Sequence, residues 1–115
     1  QQYQEALTVL EYMEKTYGGH PLIDEILYKR AQIYFEQRDW INAAETYQRI
    51  VDNYSFDLLG DDAYYHLAQL YEVQIGDTEK AFELYGDMLT KYPGSSYTVQ
   101  ARKRYRDMRG DNPDL

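Results

Sequence analysis

Cysteine is absent from this chain, and proline and glycine are scarce, with three and seven copies among 115 residues. The lack of cysteine excludes disulfides and thiolate metal sites. So few prolines and glycines favour helices over many short strands joined by turns. No apolar run approaches the roughly 20 residues that a membrane-spanning helix requires. We therefore expect no direct membrane insertion.

Basic residues are also in the minority, because 12 Lys and Arg face 20 Asp and Glu, for a net charge of −8. This balance argues against nucleic acid as a partner, since phosphate binding requires a basic face. Hydrophobic residues make up 43% of the chain, which is enough for the core of one domain. Tyrosine is unusually abundant, with 14 copies, and suits half-buried positions between packed helices.

Two sets of residues recur at a fixed spacing, which predicts a repeat architecture. The first set recurs 37 positions apart: Tyr28/Tyr65, Ala31/Ala68, Gln32/Gln69, Ile33/Leu70 and Tyr34/Tyr71. The second set recurs at 37 and then 38 positions: Ala6/Ala43/Ala81, Leu10/Tyr47/Tyr85, Met13/Ile50/Met88 and Tyr17/Tyr54/Tyr92. We expect the extra residue of the longer spacing to lie in a loop between fixed helices.

Within each repeat the apolar residues step by three or four, which predicts two amphipathic helices per unit. Asp39 and Asp77 are predicted N-caps of second helices, Pro21 suits a first helical turn, and Ser95 or Ser96 is expected to cap the last helix. The predicted helices cover residues 2–16, 21–37, 40–54, 58–74, 78–92 and 96–109. Gly86 falls inside a helix, where close packing against a neighbour explains it.

The pattern resembles the tetratricopeptide repeat (TPR), in which small and aromatic residues alternate along a helical hairpin that ends in proline. The residues that carry it are Ala31, Tyr34, Ala43, Tyr47 and Ser55, then Ala68, Tyr71, Ala81, Tyr85 and Pro93. The resemblance implies an all-α fold of antiparallel hairpins stacked as a superhelix. The expected organisation is a half repeat (1–19), two repeats (20–56 and 57–94), a closing helix (95–109) and a flexible tail (110–115).

In this family the first helices of successive repeats line a concave groove that takes peptides or partner segments. The resemblance places on that groove Glu25, Tyr28, Gln32, Phe35, Asp62, Tyr65, Gln69, Glu72, Thr98, Arg102 and Tyr105. Peptide binding there predicts that Tyr28, Tyr65 and Tyr105 are exposed. The alternative is that these side chains pack each helix against the next repeat. Relatives that clamp a C-terminal carboxylate use Lys, Arg and Asn where this chain has Tyr and Gln.

Three functions stay open from the sequence. The first is binding of a protein or peptide partner of unknown identity; the second is a structural spacer or self-association module. Self-association predicts an open first helix exposing Ala6, Leu7, Leu10 and Met13, and so a possible homodimer. The third function is an enzyme, which no sequence feature supports. His20 and His66 are isolated, and no catalytic, cofactor or metal motif is present.

One basic cluster stands out in the closing helix, comprising Arg102, Lys103, Arg104, Arg106 and Arg109. It either docks an acidic partner, or the acidic surface of the same molecule, or is the solvated end of the array. The sequence of the second repeat, from Asp61 to Ser95, resembles a bacterial subset of the family that includes cell-envelope proteins. That resemblance favours the periplasm or envelope over the cytoplasm, and the start at Gln1 without Met suggests a fragment.

Overall fold

A computed structural model of the chain describes residues 2–18, 22–56 and 58–111. Within these ranges the backbone forms six α-helices and no β-strand, which confirms the predicted all-α hairpin fold. The helices are α1 (Gln2–Thr16), α2 (Ile23–Glu36), α3 (Trp40–Asn53), α4 (Gly60–Gln69), α5 (Thr78–Lys91) and α6 (Thr98–Asp111). A π-helical segment, Leu70–Ile75, continues α4.

These bounds agree with the predicted helices to within two residues at almost every end. Both predicted N-caps are confirmed, because the Asp39 side chain accepts from the Asn42 N–H at 3.3 Å and that of Asp77 from the Lys80 N–H at 3.1 Å. The last helix reaches Asp111, two residues beyond its predicted end. Pro21, His20 and residues 112–115 of the predicted tail lie outside the described residues.

The chain forms two compact units, Gln1–Gly60 (unit 1) and Asp61–Leu115 (unit 2). In unit 1, α2 and α3 are joined by only three residues and therefore run antiparallel. Leu27, Ala31, Ala43 and Ile50 are fully buried between them. Alanine at the middle of each helix leaves room for the two backbones to approach closely.

A half-buried carboxylate joins the three helices of unit 1. Glu14 of α1 accepts a hydrogen bond from Arg30 of α2 at 2.5 Å and also pairs with Arg49 of α3. Arg30 is itself 9% exposed, so its charge is removed from water and depends on this partner. The pairing fixes α1 against the α2–α3 hairpin in addition to apolar contact.

Unit 2 buries the matching positions of the second repeat. Ala68, Ala81, Tyr85, Met88 and Ala101 are fully buried there. The ring of Tyr65 contacts that of Tyr85 across the hairpin, with centroids 6.2 Å apart. In unit 1 the equivalent contact is Tyr28 on Tyr47, at 5.8 Å. The two hairpins thus use the same aromatic pair at the same repeat position.

The extra residue of the second repeat lies inside a helix, so the prediction that it lengthens a loop was wrong. In a π-helix each N–H bonds the carbonyl five residues earlier, which accommodates one more residue per turn. The N–H of Gly76 donates in this way to the carbonyl of Tyr71 at 2.8 Å. Inserting a residue into an α-helix rotates all later side chains by about 100°. The π segment instead keeps Asp77 at the N-cap of α5.

We expect deletion of Val73, which is 68% exposed in the π segment, to restore an ordinary α-helical turn. Because the deletion returns the repeat to the spacing of the first one, the free energy of unfolding should stay within about 1 kcal/mol of the parent. Urea unfolding followed by circular dichroism measures this.

Deletion of the exposed Gln32 from α2 is the matched control. That helix has no extra residue to lose, so Ile33 and Tyr34 rotate out of place and stability falls. Equal losses for the two deletions would contradict the role assigned to the π segment.

Candidate functional site

The four predicted groove residues of α4 and its π segment all contact other side chains of unit 2. The Asp62 carboxylate accepts from the Tyr97 hydroxyl at 2.5 Å, and the rings of Tyr65 and Tyr97 stack with centroids 4.5 Å apart. Gln69 donates from its side-chain amide to the Tyr65 hydroxyl at 3.2 Å. The tyrosine–glutamine pair of the second repeat therefore meets on one helix face, as its spacing predicts, and that face packs within the unit.

Tyr65 corrects the expectation that the groove tyrosines are exposed. Its side chain is only 9% exposed, because the rings of Tyr97 and Tyr85 lie against it. This agrees with the alternative in which such tyrosines pack one helix against the next. The sequence did not identify Tyr97 as the partner of Tyr65. Tyr97 follows Ser95 and Ser96, for which the sequence predicted only a capping role.

Glu72 connects three elements of unit 2. Its carboxylate accepts from the Tyr85 hydroxyl at 2.9 Å and from the Arg104 guanidinium, whose Nε lies 3.3 Å away. Burial raises the pKa of Tyr85, and the hydrogen bond to Glu72 raises it further. Arg104 thus differs from the rest of the basic cluster in which the sequence placed it, because it pairs with the half-buried carboxylate of Glu72.

Ser95 lies at the entrance to α6, where the sequence predicted a cap. Its hydroxyl donates to the Asp61 carboxylate at 2.6 Å and accepts from the Tyr97 N–H at 3.1 Å. The segment before α6 is therefore anchored to the start of α4 by Ser95 and Tyr97 together.

The equivalent face of α2 in unit 1 is more accessible. Glu25 and Gln32 are exposed, and Phe35 is 40% exposed with its ring edge on Trp40 at 5.1 Å. Tyr28 is half-buried against Tyr47, so it does not project freely as expected. The predicted groove residues of the first helices therefore contact other side chains in unit 2 and are largely exposed in unit 1.

The predicted groove residues of α6 have different environments. Arg102 is exposed, whereas Thr98 is buried with its hydroxyl donating to the Tyr92 carbonyl at 3.3 Å. Tyr105 is half-buried and stacks on Phe82, with centroids 4.3 Å apart. A Cβ added to Gly86 would lie 3.0 Å from the Tyr105 ring, which confirms close packing as the reason for that glycine.

A groove between α1 and α2 was not identified from the sequence. It has a volume of about 430 Å³ and is lined by Leu10, Met13, Tyr17, Leu22, Glu25, Ile26 and Lys29. Of the α1 residues expected on an open apolar face, Ala6, Leu10 and Met13 are half-buried. Leu7 is 4% exposed and belongs to the core, which corrects that part of the expectation. The apolar stripe of α1 was the signal that pointed toward this surface.

Titratable side chains do not gather into a metal site in the part of the chain that the structure describes. No group of three or more His, Asp or Glu side chains there has the arrangement to hold a metal ion. No helix among the described residues is long and apolar enough to cross a membrane.

The comparisons with known proteins agree with the hairpins and the spacing. A family model described as "Tetratricopeptide repeat" matches residues 1–58 and again residues 28–96. The chain therefore belongs to the tetratricopeptide repeat family. Members of this family are typically non-catalytic modules that bind protein partners and serve as scaffolds. A search of curated proteins gives no significant match.

Replacing Glu72 with Ala should lower the free energy of unfolding by about 1–3 kcal/mol, because the buried Tyr85 hydroxyl loses its acceptor. Denaturant unfolding measures the loss. Glu72→Gln, which keeps an acceptor oxygen for Tyr85, should cost less. A loss no larger than that of Val73→Ala, on the exposed neighbour, would contradict the role of Glu72.

Because His66 is half-buried, we expect the free energy of unfolding to depend on pH. Burial lowers the pKa of His66 below its ordinary value of 6.5, and Asp62 and Gln69 oppose this only in part. The unfolded chain therefore binds the proton of His66 more readily than the folded chain. The contribution of neutral His66 to the free energy of unfolding is fully present above pH 6.5 and is lost as the pH falls below it. We expect His66→Gln to flatten the decline between about pH 6.5 and pH 5. Urea midpoints across that range test this, and parallel curves would exclude it.

Proposed function

We propose that this chain is a protein-interaction module whose unit 1 binds an amphipathic helix of a partner protein in the groove between α1 and α2. The proposal rests on a difference in burial between α1 and the helices α3 and α5, which hold the same repeat positions. Partner binding is also the usual role of the family.

Helices α3 and α5 bury the repeat positions that α1 leaves partly open. Tyr47 and Ile50 of α3 are 4% and 0% exposed, and Tyr85 and Met88 of α5 are both 0% exposed. A first helix of the same hairpin covers these side chains, as the Tyr28–Tyr47 and Tyr65–Tyr85 ring contacts record. The matching Leu10 and Met13 of α1 are half-buried and line the groove. A helix is thus the element that covers this surface elsewhere in the chain.

The lining of the groove defines the chemistry of its occupant. Five of the seven lining residues are apolar or aromatic, and the other two, Glu25 and Lys29, carry opposite charges. The groove therefore suits a helix with apolar residues at positions i, i+3 or i+4, and i+7, and with polar residues at the flanks. Burial of the apolar side chains supplies the driving force, and the two charges favour one orientation of the helix.

A second candidate is an extended peptide along the first helices, as the family resemblance implies. It is favoured in unit 1, where Glu25, Gln32 and Phe35 are exposed. Tyr28→Ala and Tyr65→Ala are poor probes of that idea, because both side chains pack within their units. Gln32→Ala and Phe35→Ala are better ones.

The test uses a labelled synthetic peptide with the sequence of residues 58–75, which carries the first-helix pattern of this family. Fluorescence anisotropy should show saturable binding to the whole chain. Leu10→Asp and, separately, Tyr17→Ala should weaken binding by about tenfold or more, equivalent to about 1.4 kcal/mol. Tyr17 is 53% exposed, so its replacement should not unfold the hairpin.

Val9→Asp is the matched control, because Val9 lies on the same helix, is 57% exposed and does not line the groove. It should bind the peptide as the parent does. Sedimentation measured in parallel separates the alternatives. A dimer that dissociates on Leu10→Asp would favour self-association instead, and a monomer that binds no peptide would exclude the groove.

A further inference from the structure

The helix α6 occupies the place of a first helix in the repeat. Its buried residues match those of α4 and its π segment at a spacing of 38 residues, with Ala63 corresponding to Ala101 and Leu70 to Met108. Ile26, which lies 37 residues before Ala63, lines the groove against α1, and Tyr105, one turn after Ala101, stacks on Phe82 of α5. This side of α2 and of α6 therefore faces the helix that precedes it in its unit. The register of α6 is therefore the same as that of α2 and α4.

A second stripe on each first helix packs against the second helix of its own hairpin. In α2 and α4 it consists of apolar or aromatic residues: Leu27/Tyr64, Tyr28/Tyr65, Ala31/Ala68 and Tyr34/Tyr71. In α6 the same positions hold Arg102, Lys103, Arg106 and Arg109. All four cations are exposed. We call these four residues the cationic stripe. On α6 the stripe takes the place of the surface with which α2 contacts α3 in the first hairpin and α4 contacts α5 in the second.

Three cations of the stripe have no counter-ion among the residues that the structure describes. Lys103 pairs with Asp107 at 2.9 Å, one turn along the helix. Arg102, Arg106 and Arg109 form no ion pair with any described residue. By contrast, Arg104, which lies outside the stripe, is held by Glu72 and Asp107. The stripe therefore presents uncompensated positive charge on a chain that is otherwise strongly acidic.

A shallow groove runs beside the stripe. It has a volume of about 330 Å³ and is lined by Val99, Arg102, Lys103, Arg106 and Asp107. Val99 is 74% exposed at this surface and offers an apolar contact beside the charges. Cations at i, i+4 and i+7 form a straight row on one helix face. A second helix with carboxylates at the same spacing matches that row.

We propose that the cationic stripe binds an acidic amphipathic helix of a partner protein, in the place where an apolar second helix packs in the other two hairpins. An apolar helix is disfavoured there, because it would bury Arg102, Arg106 and Arg109 without counter-ions. An acidic helix with one apolar residue over Val99 satisfies both the charge and the shape. This surface shares no residue with the α1–α2 groove, and the proposal does not depend on that one.

The probe is a pair of synthetic helical peptides of identical composition. One carries glutamates at positions i, i+4, i+7 and i+11, on one face, and the other carries the same glutamates distributed around the helix. Anisotropy titrations with the whole chain should show at least about tenfold tighter binding of the one-faced peptide. Its affinity should fall as salt is added, because exposed charges are screened.

Arg102→Glu/Arg106→Glu should reduce binding of the one-faced peptide by about tenfold or more. Lys15→Glu/Arg38→Glu changes the net charge equally, at exposed positions of unit 1 that do not line the α1–α2 groove, and should leave the affinity within about twofold of the parent. Circular dichroism checks that both variants stay helical. Equal binding of the two peptides would identify a general polyanion surface and overturn the proposal. Loss of binding in both double variants, or no binding by the parent, would overturn it as well.

Discussion

Close approach of paired helices is the constraint on which the rest of this structure depends. It is met by alanines in the middle of both hairpins, and Ala31, Ala43, Ala68 and Ala81 are all completely buried. Because a methyl group keeps the backbones close, the larger side chains must lie to either side. The tyrosine contacts between the helices of each hairpin follow from this arrangement. A larger residue at any of these positions would separate the helices and displace the aromatic contacts.

Each unit adds one half-buried carboxylate to its apolar packing. Glu14 holds two arginines in unit 1, and Glu72 holds Tyr85 and Arg104 in unit 2. Such groups add direction to a core, since a hydrogen bond requires a limited range of distance and angle, whereas apolar contact has no direction. Their burial also makes them costly to leave unpaired. They therefore favour the arrangement of the three elements in which each carboxylate is paired.

This internal packing determines which surfaces are available for partners. In unit 2 the face predicted for peptide binding is occupied by Tyr97 and Arg104, so its polar groups are already satisfied. Two surfaces stay accessible and differ in chemistry: the apolar groove of unit 1 and the cationic stripe of unit 2. Both lie at repeat positions where another hairpin of the same chain accepts a helix. In both proposals a partner helix takes the place of a helix of the repeat, and the side chains of each surface set the kind of helix.

The sequence by itself determined the family, the helices and the N-caps Asp39 and Asp77, because spacing of three or four residues and a cap three residues before its N–H partner are local properties. Only the tertiary structure decided that the extra residue of the second repeat lies in a π-helical segment, since a π segment and a longer loop have the same length. It also decided the roles of Tyr97 and Arg104, whose partners lie 35 and 32 residues away. No local pattern relates such residues, because their contact depends on how two helices are rotated against each other.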